Sequence, residues 1–152
     1  MFRIDKRLLY ILLGIMIFKI ILNCVSDAST ALDTLLIIPA VLIAITFHEF
    51  AHAFAAYKLG DNTAKQQGRM NLNPLSHIDP IGLIMLLTIG IGWGKPVQVD
   101  YRNFRKDISV AKAEAIVSIA GPIMNFILAI VFAVLYALIL RFGWLNGLGI
   151  EA

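Results

Sequence analysis

The sequence has little of what a soluble domain is usually built on. It holds a single cysteine, Cys24, so no intrachain disulfide can form and cysteine usage says nothing of the compartment. Only 15% of its 152 residues are charged, against roughly 25% in an ordinary soluble domain. The net charge is a modest +3, and the basic residues are spread over loops between apolar runs. That distribution follows membrane topology and argues against a nucleic-acid footprint, so no nucleic-acid partner is expected. The length suits one domain.

What the chain has in quantity is hydrophobic length, with 59% hydrophobic residues. A bilayer needs about 20 mostly apolar residues per helix. One such run covers 8–25, interrupted only by Lys19 and Asn23. A second covers 31–59, with Gly60 and Asp61 as its stop. A third covers 112–140. Between the last two lies a shorter apolar stretch, 81–93, broken by Gly82, Gly90 and Gly92, too short and glycine-rich for a span. The expected fold is therefore an all-α integral membrane protein: one domain over 1–152, with three transmembrane helices and a re-entrant, partly hairpin-like loop.

Charge sets the orientation. Arg3, Lys6 and Arg7 precede the first helix, while 26–30 carry no Lys or Arg. Lys58, Lys65, Arg69, Lys95, Arg102, Arg105, Lys106 and Lys112 lie between the second helix and the start of the last, and only Arg141 follows. The positive-inside rule places the N-terminus and the 60–112 region in the cytoplasm of a multi-pass protein of the cell membrane. Both flanks of 81–93 are basic, so this stretch enters and leaves on one face. A fourth full span is the alternative. The first helix has a competing reading as a cleaved signal, but its apolar run is long and no A-x-A site follows. Cys24 after that run suggests a lipoprotein signal only faintly, and Asn23 fits one poorly. On either reading the second helix runs from outside to inside.

Within that second helix stands His48-Glu49-Phe50-Ala51-His52. Two histidines four apart share a helix face, one turn from each other. Neutral imidazole is a good zinc ligand, and two at this spacing can share one ion. Glu49 can then reach a water on the metal and deprotonate it for attack on a carbonyl. In a soluble protein the same motif often arises by chance on a solvated face. Here it follows an almost unbroken apolar run, 35–47, and an ionisable group at the bilayer centre costs roughly 2.5–3.5 kcal/mol even on the lenient scale. Metal binding is the expected role. The motif lies in the cytoplasmic half of its helix, within reach of water from inside.

The chain resembles the site-2 proteases, intramembrane zinc metalloproteases, in their compact bacterial form without a PDZ domain. The resemblance rests on three segments in combination. They are Thr46–Ala53 with its continuation to Asp61; Gly68–Gly82, which reads GRMNLNPLSHIDPIG, with Gly92–Val97; and Ala120-Gly121-Pro122-Ile123-Met124-Asn125. The resemblance as a whole covers 40–135. The resemblance implies that His48 and His52 bind Zn2+, that Glu49 is general base and acid, and that about 68–97 forms a hairpin-like loop partly inserted beside the site. It implies a membrane-protein substrate helix as partner, within the lipid bilayer. Irregular backbone at membrane depth survives only where protein or a water-filled cavity satisfies it. The alternation Lys95-Pro96-Val97-Gln98-Val99 suits a strand edge that could pair with an unwound substrate.

Gly121 and Pro122 should kink the last helix and free a backbone carbonyl. Asn125, one turn on, is polar in an apolar span. The family reading places it near substrate or oxyanion, and the alternative is a helix–helix hydrogen bond worth about 0.6–2 kcal/mol. The third zinc ligand of site-2 proteases is an aspartate of an LDG-type motif on the following helix, and no Asp-Gly pair occurs in this sequence. Asp5, Asp27, Asp33, Asp61, Asp79, Asp100, Asp107, Glu114 and Glu151 do not sit in a span at that stage of the topology. Catalytic zinc normally takes three protein ligands. Three explanations follow: a fragment of a longer protease, a non-proteolytic relative that binds partner helices as a scaffold, or a substitute ligand. His77 is the obvious substitute, although loop hydrogen bonds account for it more simply. A metal transporter is a further reading that leaves Glu49 and the GPxxN helix unexplained.

Overall fold

The computed structural model describes residues 6–26 and 28–142. Arg3, Asp5, Asp27 and Glu151 lie outside the described residues, as do the side chains of Asn23, Cys24 and Asp33. The elements are α1 (Lys6–Ser26), α2 (Ala28–Lys58), a short α3 (Thr63–Gln66), α4 (Pro80–Ile89) and α5 (Val110–Arg141), with 3₁₀ turns at Pro74–Ser76 and Tyr101–Asn103. Among the described residues there is no strand, only an isolated antiparallel bridge between Ile78 and Gly94. The three long helices match the three apolar runs. Leu36–Lys58 within α2 and Val110–Arg141 are long and apolar enough to cross a membrane.

α2 and α5 form the principal helix pair. Ala56 of α2 and Leu59 just past its end pack with Ala113 and Val117 of α5 around Phe104, while His48 of α2 meets Asn125 of α5. The register falls on one helix as it rises on the other, so the two are antiparallel. Small residues line the seam: Ala53, Ala56 and Ala113 are fully buried, and small side chains let helix backbones approach closely without help from a hydrophobic effect in lipid. α2 ends at the expected stop, where Gly60 takes φ 109 against the Asn103 carbonyl. Only glycine adopts such a backbone cheaply.

The stretch expected to re-enter folds as α4. Asp79 caps it, accepting from Ile81 N and Gly82 N, with Pro80 at its first position and Gly90 closing it in a left-handed cap. Its 10 residues extend about 15 Å, half of a hydrocarbon core of about 30 Å. The chain then doubles back. Gly82 lies so close to the Trp93 carbonyl that a Cβ there has no room, and a Cβ at Gly92 would sit 2.5 Å from Gly82 O. Ile78 before the helix pairs with Gly94 after it, and Gln67 Nε2 donates to Gln98 Oε1 at 2.9 Å. The two flanks of α4 therefore touch. Its far end is met by the Lys19 ammonium of α1, which donates to the Thr88 carbonyl, where helix carbonyls lack partners and the dipole is negative.

The Lys95–Val99 segment does not form the strand edge that its alternation suggests. Lys95 N–H is taken by the His77 carbonyl at 2.8 Å, and Pro96 has no N–H. Val97 N–H is spent on a side chain of α2.

Candidate metal centre

His48 and His52 stand one turn apart on α2, and their rings meet edge to face with centroids 4.6 Å apart. Both Nε2 atoms point at Gly121 of α5. A Cβ at that residue would lie 2.5 Å from His48 Nε2 and closer still to His52 Nε2. The missing side chain thus lets both imidazole nitrogens come up against the backbone of α5 and near one another, as two ligands of one ion would have to.

α5 also meets the other side of each ring. His52 Nδ1 is 2.6 Å from the Val117 carbonyl. A carbonyl only accepts, so Nδ1 carries the proton and Nε2 is left bare. His48 Nδ1 is 3.2 Å from the Asn125 amide. The helix runs unbroken through Pro122, whose missing N–H leaves the Ser118 carbonyl, next to that of Val117, without its helical donor. Pro122 itself is exposed on α5. Gly121 and Asn125 are therefore brought against the histidines, and Pro122 lies beside them facing outward.

Glu49, the next residue, stands about 100° around α2 from His48 and reaches the segment that follows α4. Its Oε2 accepts from Val97 N at 2.9 Å, and Gly94 is close enough that a Cβ there would come 3.8 Å from Oε1 and 2.7 Å from Ile45 Cγ2. The segment that holds Glu49 is itself held. Arg69 Nη2 donates to the Lys95 carbonyl at 2.7 Å, and His77, fully buried, donates from Nε2 to the Asn71 carbonyl at 2.8 Å. His77 thus makes the loop hydrogen bond that accounts for it most simply. Among the described residues no group of three or more His, Cys, Asp or Glu side chains is placed to hold a metal. Above the histidines, a largely apolar cavity of about 480 Å³ opens between α2 and α5, lined by Leu36, Pro39, Ile43, Asn125, Leu128 and Phe132 among others.

Asp61, just past the end of α2, is a hub that the motifs did not disclose. It is fully buried and accepts from Thr63 N at 3.0 Å, Thr63 Oγ1, Asp100 N at 2.8 Å and Asn103 Nδ2 at 2.9 Å. Burial pushes its pKa up, but these hydrogen bonds outweigh it and hold the carboxyl below its ordinary value. Neighbouring Asp100 is brought down to about 2 by its hydrogen bonds with Arg102.

An HExxH pair on one apolar helix, packed on a glycine of a second, is the framework of a membrane metalloprotease, and comparison with known proteins agrees. The chain is 47% identical over 103 residues to the "Putative zinc metalloprotease YwhC" of Bacillus subtilis (strain 168), a match covering 68% of this chain and 46% of the relative. It is 35% identical over 99 residues to the "Putative zinc metalloprotease Rip2" of Mycolicibacterium smegmatis, covering 63% and 38%, and 32% identical over 97 residues to the Rip2 of Mycobacterium tuberculosis (strain H37Rv), covering 62% and 37%. The chain is a site-2 protease-like protein. It spans less than half the length of these curated relatives. No family model matches it, and no solved structure does.

Proposed function

We propose that this chain belongs to a zinc-dependent intramembrane endopeptidase that cuts transmembrane segments of membrane proteins, as in regulated intramembrane proteolysis, and that it carries part of the active site. The observation that carries the reading is the convergence of His48 Nε2 and His52 Nε2 on one point beside Gly121. The donor set fits zinc: two neutral imidazoles, one with its proton fixed on the remote nitrogen by Val117, and a carboxylate on the next residue. Zinc bound there would supply a Lewis acid and a water whose pKa falls towards 7. Glu49, with Oε2 held by Val97 N–H, takes the proton on Oε1 and returns it to the leaving amine. Asn125, with Gly121 and Pro122, forms the face on which substrate or oxyanion rests.

In this reading α1 joins α2 and α5 as a third span, and α4 is re-entrant. The N-terminus and the 60–112 region face the cytoplasm, the partners are a substrate helix and the surrounding bilayer, and no nucleic acid takes part. Zinc analysis of the chain purified in detergent tests the metal assignment. Wild type retains zinc more weakly than a three-ligand site, and His48→Ala abolishes retention. Equal zinc in both would sink the assignment. The absence of a third clustered ligand among the described residues favours one other reading, a catalytically silent scaffold that binds partner helices.

A further inference from the structure

Val117, Gly121 and Asn125 are spaced by four on α5, so they form one stripe along that helix. His52 and His48 form the matching stripe on α2. Val117 meets the outer nitrogen of one ring, Asn125 meets the outer nitrogen of the other, and Gly121 between them lets both inner nitrogens come up against α5. The two histidines are thus served symmetrically, with one difference. The Val117 carbonyl can only accept. The Asn125 amide can present either its oxygen or its nitrogen, and the two have almost the same shape.

The choice has a chemical consequence. With the NH2 group towards His48, Nδ1 must accept, so the neutral ring carries its proton on Nε2, on the side where the two rings converge. That proton would occupy the place of a ligand bond. With the oxygen towards His48, Nδ1–H donates to Oδ1 and both Nε2 atoms are bare. In the NH2-first arrangement Asn125 Oδ1 is also buried without a partner, although it is the better acceptor for a ring N–H. The reversed amide gives that oxygen its donor and leaves the NH2 group as the donor for substrate, in keeping with the role already proposed for Asn125.

We propose that Asn125 is a positioning residue that fixes His48 as the Nδ1–H tautomer through Oδ1, doing for His48 what the Val117 carbonyl does for His52. The inference rests on the reading of His48 and His52 as metal ligands. Partners of this kind orient ligating imidazoles, and their loss typically lowers metal affinity about 10–100-fold. A mere helix–helix hydrogen bond would stabilise the α2–α5 pair without favouring either tautomer.

The test uses the full chain in detergent micelles, with ¹⁵N-labelled histidine and zinc titrated against a chelator at pH 8. In the metal-free wild type, the ¹⁵N spectrum should show His48 with a protonated Nδ1 and a bare Nε2. Asn125→Leu should erase that preference while His52, still on Val117, keeps its own, and this retained signal reports an intact helix pair. Zinc affinity should fall about 10–100-fold in Asn125→Leu and stay near wild type in Asn125→Asp, whose carboxylate can only accept. A wild-type His48 protonated on Nε2, or equal loss of affinity in the Leu and Asp variants, would overturn the proposal. If the wild type binds no zinc, the metal reading fails by itself, and the metal-free spectrum still decides the tautomer.

Discussion

Gly121 faces the imidazoles of His48 and His52 with nothing beyond its α-carbon, and both rings pack directly against it. Gly121→Ala places a methyl group there. The rings must move aside, which typically costs about 1–3 kcal/mol in a packed seam, and the point of convergence is lost. The expected outcome is a folded, helical chain that no longer retains zinc, read by metal analysis beside circular dichroism. Asp61 makes a different kind of prediction. Its carboxyl titrates below the ordinary value of 3.8 in the folded chain, so the unfolded chain binds the proton more readily. Its stabilisation is complete above that ordinary value and is lost as pH falls through the folded value. Asp61→Asn should therefore lower the melting temperature at neutral pH, on the order of 2 kcal/mol for lost charged hydrogen bonds, and should flatten the decline of stability below about pH 4. Asp107→Asn, whose carboxyl is exposed and lies beside Arg105, is the control.

Elements were legible where apolar length speaks for itself. The runs at 8–25, 31–59 and 112–140 are the helices α1, α2 and α5 to within three residues at each end, because nothing competes with helix formation in an unbroken apolar run. The short 81–93 stretch was legible as something other than a span because of its glycines, and the structure shows what they do: Gly82 and Gly92 let the helix and the returning chain touch backbone to backbone. What the sequence hid are bonds made by main-chain atoms. No residue type announces that Val97 N–H will hold Glu49, or that the Val117 carbonyl will orient His52. The alternation at Lys95–Val99 pointed to a strand, but tertiary partners took its donors first. The proposed re-entrant path of α4 predicts that Gln67 and Arg102, both exposed and on opposite sides of α4 in sequence, lie on one side of the membrane. In a Cys24→Ser background, Gln67→Cys and Arg102→Cys should react with an impermeant maleimide in the same vesicle orientation. Labelling from opposite faces would make α4 part of a full span.

At the scale of the whole molecule, the proposed reading has the described residues supply two imidazoles and a base, and the matched relatives are more than twice as long as the region they share with this chain. Catalytic zinc normally rests on three protein ligands. With two, an ion would be bound weakly and its electrostatic hold on a reacting carbonyl would be poorly fixed in direction, while Glu49 remains tethered to Val97. The expected outcome is that the purified chain, loaded with zinc and mixed in proteoliposomes with a transmembrane substrate, gives no cleavage. Joining it to a helix that bears the LDG-type aspartate should both tighten zinc retention against a chelator and restore turnover that Glu49→Gln removes. Turnover by the chain alone, lost in Glu49→Gln, would mean that a third ligand reaches the site from His77 or from a second copy. His77 would first have to release the Asn71 carbonyl and leave a fully buried position, so a second copy is the arrangement that costs the fold less. Dependence of activity on protein concentration would then separate the two.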